Sequence, residues 1–65
     1  MTNRIKEIRE SKGLSRKELA AASGLHYNKI SDYENDYLKT ENITIGNLLR
    51  IAKALDVTLE SLIVE

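Results

Sequence analysis

The sequence predicts an all-α fold, a compact bundle of five short helices forming one domain over residues 1–65. Three observations predict it. Proline is absent while Leu, Ile, Ala, Lys and Glu dominate, a composition that favours helices. No run alternates Val, Thr and Tyr with polar residues as a half-buried strand would. Gly13 and Gly24 fall where helices should stop, and Ser15, Thr44 and Thr58 fall where helices should start.

The first helix is expected over residues 2–12, with Ile5 and Ile8 on one face. Gly13 ends it in a left-handed conformation, and Leu14 folds back on the core. Ser15-Arg16-Lys17-Glu18 reads as a capping box, in which the serine and the glutamate each satisfy the other's backbone N–H. It opens a second helix over 16–22 that buries Leu19 and Ala20. A third helix over 26–35 buries Ile30 and Tyr33, and residues 36–43 form a polar loop. Within that loop Tyr37 and Leu38 are apolar, placed either to cover the core's edge or to meet a partner. Thr44 caps a fourth helix reaching Leu55, with an inward stripe of Ile45, Leu48, Leu49, Ile51, Ala52 and Leu55. Thr58 caps a short fifth helix whose Leu59 and Leu62 face the core.

Only Ser23-Gly24-Leu25 separates the second helix from the third. Two short helices joined by a three-residue turn containing glycine form a helix-turn-helix. The net charge is zero but unevenly spread: residues 1–17 carry +4, residues 18–48 carry −3 and residues 49–65 carry −1. Such an asymmetry permits a locally positive face. Cysteine is absent, so no disulfide or thiolate metal site supports the fold. No stretch approaches the ~20 apolar residues that span a bilayer, and residues 1–12 lack the apolar core of a signal peptide. A soluble cytoplasmic protein with no membrane contact is expected.

Gly13-Leu14-Ser15, Glu18-Leu19-Ala20, Gly24-Leu25, Ile30-Ser31, Glu34-Asn35 and the run from Leu48 to Leu55 resemble the phage repressor and Cro family of helix-turn-helix proteins, the XRE-type transcriptional regulators. The resemblance extends over roughly residues 3–63. It implies a lambda-repressor-like domain that binds duplex DNA at a pseudo-palindromic operator, as a homodimer with its third helix in the major groove. Regulation would then follow from competing with polymerase for the site or from touching it.

Carried over by position, the resemblance assigns base contacts to Tyr27, Asn28 and Asp32. Asn28 suits adenine, whose major-groove edge pairs bidentately with an amide. Tyr27 either packs on a thymine methyl or reaches a phosphate, against an alternative role resting on helix two. Asp32 either accepts from cytosine or, as favoured here, repels phosphate and so penalises wrong sequences. Candidate phosphate contacts are Arg16, Lys17, His26, Lys29 and Lys39. Arg16 leads them, since a helix N-terminus and a guanidinium act together on one anion. His26 stands where the family usually caps with Ser or Thr, so capping competes with phosphate contact there. Arg9 and Glu34 resemble a buried structural ion pair. Asp36 and Asp56 replace glycines expected after helices three and four.

The tail Leu62-Ile63-Val64 is too apolar for one short helix to hide, so Leu59, Ile63 and Val64 are expected at a dimer interface, the alternative being completion of the monomer core. A protein-binding module such as an antitoxin or adaptor is the rival function, favoured by the zero net charge and the acidic third helix. An enzyme is disfavoured, because one histidine, no cysteine and no phosphate-cradling glycine loop assemble no reactive constellation. Cofactors and metals are not expected.

Overall fold

The computed structural model describes residues 2–35 and 40–64, ordered as β1 (Thr2–Asn3), α1 (Ile5–Ser11), α2 (Arg16–Ser23), α3 (Tyr27–Glu34), a 3₁₀ turn (Thr40–Asn42), α4 (Ile45–Leu55), α5 (Leu59–Leu62) and β2 (Ile63–Val64). The sequence readings that fall on Asp36, Tyr37, Leu38 and Lys39 lie outside the described residues.

Helices begin where a side chain can replace the missing partner of a first-turn N–H. Ser15 Oγ accepts from the Glu18 N–H at 3.0 Å, and Glu18 Oε1 accepts from the Ser15 N–H at 2.8 Å, completing the capping box. Thr44 Oγ1 accepts from the Asn47 N–H at 3.2 Å, and Thr58 Oγ1 from the Ser61 N–H at 3.3 Å. The ends follow equally local rules. Gly24 sits at φ +74, and the carbonyl of Ala20 accepts from both the Gly24 and Leu25 N–H groups. That left-handed residue turns the chain from α2 into α3 within three residues. After α4 the same conformation falls to Asp56 at φ 57, without glycine's freedom.

Every helix sends a side chain to the centre. Ile5, Leu19, Ile30, Ile51, Leu55 and Leu62 are fully buried. Around them pack Ile8, Ala20, Tyr33, Ile43, Leu48 and Ala52, with Leu14, Leu25, Leu59 and Ile63 partly buried at the edge.

The first helix is shorter than the periodicity suggests. Thr2 and Asn3 are extended, pairing antiparallel with Val64 and Ile63 in a two-stranded ribbon. Asn3 explains the change, since its Oδ1 accepts from the Ile5 N–H at 3.2 Å and so starts the helix at Ile5. Its Nδ2 donates to the Tyr33 carbonyl and to Thr40 Oγ1, both at 3.2 Å, tying β1 to the end of α3. The apolar tail is accordingly part strand rather than helix: Ile63 packs against the core of its own chain, while Val64 is exposed. Nor is the stretch after α3 wholly a surface loop, because Thr40 and Ile43 are buried.

Two members of the expected α4 stripe face solvent. Ile45 is 61% exposed and Leu49 42%. Leu48, Ile51, Ala52 and Leu55 already form the inward face. At 3.6 residues per turn, Ile45 and Leu49 lie about 70° and 110° around the helix from its middle. Among the described residues no helix is long and apolar enough to cross a membrane.

Candidate nucleic-acid interface

The exposed side of α3 is set by what its other side must hold. Ile30 and Tyr33 enter the core, and the Glu34 side chain is fully buried although its backbone is not. Tyr27, Asn28, Lys29 and Asp32 are therefore left in solvent. Asn28 and Asp32, four residues apart, share a face. Among the described residues no hydrogen bond occupies the Asn28 amide, the Lys29 ammonium or the Asp32 carboxylate.

His26 caps this helix. Its Nδ1 accepts from the Asn28 N–H at 3.0 Å. The imidazole is exposed, so its Nε2 edge is compatible with a phosphate while Nδ1 holds the cap.

Beneath α3 lies a cluster that the sequence showed only in part. Arg9 Nε donates to Glu34 Oε2 at 2.7 Å and Arg9 Nη2 to Glu34 Oε1 at 3.2 Å, a bidentate pair. Arg9 Nη1 donates to the Leu14 carbonyl at 2.7 Å, so this guanidinium is committed on every side. A second arginine joins them: Arg16 Nε donates to Glu34 Oε1 at 2.9 Å. Arg16, read from the sequence as a solvent-facing phosphate anchor, is thus tied back to the last residue of α3. Glu34, and the Tyr27 hydroxyl after it, hold the Arg16 pKa above the ordinary arginine value. Arg16 lies in a different helix from Arg9 and eighteen residues from Glu34 in sequence, so helix spacing cannot show which arginine reaches the carboxylate.

Arg16 remains 27% exposed and lines a shallow recess with Arg9, Ser15, Lys17 and Tyr27. The recess joins the N-terminus of α2 to that of α3 and gathers three cationic side chains. The positive end of α2 adds to the field there. Lys17 and Lys29 are both exposed, whereas Lys39 lies outside the described residues. Leu59 and Ile63 are half-buried against their own core, and Val64 alone of the three interface candidates is exposed. No group of His, Cys, Asp and Glu that could hold a metal occurs among the described residues.

The profile of a family described as helix-turn-helix matches residues 5–62. Two solved structures are similar over most of the chain. The restriction-modification controller protein C.AhdI from Aeromonas hydrophila shares 34% identity at a TM-score of 0.82, covering 89% of this chain and 83% of its own. SinR, described as the master regulator for biofilm formation and solved in complex with DNA, shares 33% identity at a TM-score of 0.82, covering 89% of both chains. No curated protein sequence matches the chain.

Proposed function

This chain belongs to the helix-turn-helix family of DNA-binding regulators, and we propose that it reads a specific duplex operator as a transcriptional repressor, with α3 in the major groove. One observation carries the reading: α3 is anchored through Ile30, Tyr33 and Glu34 while Tyr27, Asn28, Lys29 and Asp32 stand in solvent. A helix anchored in this way that exposes an amide with a lysine beside it suits base reading flanked by phosphate contact.

In this reading Asn28 and Tyr27 meet base edges, and Asp32 penalises sequences that bring it against phosphate or a carbonyl. Arg16, Lys17, Lys29 and the Nε2 edge of His26 hold the backbone. Lys39 completes the phosphate set from the segment after α3. A homodimer supplies two such helices at half-sites about one turn apart. Val64, with the half-buried Leu59 and Ile63, is its proposed contact surface. SinR, solved with DNA, supports the choice of ligand.

The test is selection from random duplex DNA with the purified protein, at low and at physiological salt. An enriched, two-fold symmetric sequence whose binding weakens steeply with salt is expected. No enrichment at either salt would replace this reading with a protein-binding module of antitoxin or adaptor type.

A further inference from the structure

Glu34 has more partners than it needs. Arg9 alone reaches both carboxylate oxygens and matches the buried charge. The bond from Arg16 adds nothing to that neutralisation, and it spends a cation on a residue already paired. Its effect falls on Arg16 instead. Glu34 takes the Nε of Arg16 and the Tyr27 hydroxyl is its other neighbour; the edge formed by the two terminal amino groups suits bidentate pairing with phosphate oxygens. A free arginine would lose rotamer freedom on meeting a phosphate, whereas one already fixed has lost it in folding. Tyr27, which opens α3, lines the same recess as Arg16, while Glu34 closes α3. Arg16 is therefore bonded to the last residue of α3 and shares a recess with its first.

We infer that Glu34 is a positioning residue for DNA binding, acting through Arg16 to present its terminal amino groups to a backbone phosphate at the junction of α2 and α3; the inference rests on the DNA-binding reading above. Lysine in place of Arg16 keeps the charge but cannot both hold Glu34 and offer a forked edge.

Affinity for the enriched duplex, measured by fluorescence anisotropy across a salt series, tests it. Arg16→Lys is expected to bind roughly tenfold more weakly, the size of one lost charge-assisted hydrogen bond, with an unchanged salt slope because the charge is unchanged. Glu34→Gln is expected to weaken binding in the wild-type background and to cost nothing further when Arg16 is already Gln. Equal losses with and without Arg16 would show Glu34 acting only on the fold and overturn the inference. Wild-type affinity in Arg16→Lys would overturn it as well, and that variant keeps the Arg9–Glu34 pair should Glu34→Gln fail to fold. Wild-type protein that bound no duplex even at low salt would instead remove the DNA-binding reading and the inference together.

Discussion

The Tyr33 hydroxyl accepts a hydrogen bond from the Asn47 side-chain amide at 2.9 Å, joining the base of α3 to the first turn of α4. Asn47 also sits at the capped start of α4, where its N–H donates to Thr44 Oγ1. The exposed helix is thereby fixed to the longest of the described helices at a point away from its solvent face. Tyr33→Phe keeps the buried ring and removes only this bond, so it should cost about 1 kcal/mol in urea unfolding. Combined with Asn47→Ala, the loss should fall short of the sum of the two single losses. Additive losses would show that the bond contributes nothing.

Removing Arg9 takes away both the bidentate partner of Glu34 and the donor to the Leu14 carbonyl. Breaking a buried pair from one side costs about 3–5 kcal/mol. Because Arg16 still reaches the carboxylate, Arg9→Met should fall near the lower end of that range. A change below about 1 kcal/mol in unfolding free energy would mean that the cluster holds little of the fold.

Glu18 ties stability to acid. The backbone N–H of Ser15, and after it the Ser15 hydroxyl, lower the Glu18 carboxyl below its ordinary value of 4.5. A carboxylate lowered in the folded state stabilises it fully above the unfolded value and loses that contribution as pH falls through the folded one. Wild type should therefore lose more stability between pH 6 and pH 3 than Glu18→Gln, which retains a capping acceptor but does not titrate. Equal losses would remove Glu18 from the acid response.

Asn28→Ala leaves the backbone N–H that His26 accepts from and deletes only an exposed amide. Stability should change by less than about 0.5 kcal/mol. In the selection experiment, preference at one base pair should relax by an amount corresponding to about 1–3 kcal/mol. An unchanged preference would take Asn28 out of base reading.

Much of this molecule is legible residue by residue where the governing interactions are local. Ser15, Thr44 and Thr58 act within three residues of themselves, and Gly24 acts within its own turn, so their signals are in the sequence directly. What escaped was non-local. A strand of two residues has no periodicity to detect, and Thr2–Asn3 is defined only by Val64 and Ile63 at the other end of the chain. The Arg16 bond to Glu34 likewise depends on how closely α2 crosses α3. Ile45 and Leu49 failed for a different reason: an apolar side chain on a helix flank reads like one on the stripe until the neighbouring helices are placed.

The pairing of Thr2 with Val64 joins two segments that lie far apart in sequence. Helices form from neighbours, but this contact must draw together two segments separated by almost the whole chain, and loop-closure entropy opposes it until the bundle has assembled. A ribbon two residues long has little of its own to resist opening. It is expected to fasten late in folding and to release early in unfolding, held to the bundle by the Arg4 N–H on the Leu62 carbonyl and by the Asn3 amide on the Tyr33 carbonyl. Amide exchange should thus be graded through the molecule, fastest where the two ends meet and slowest along α4.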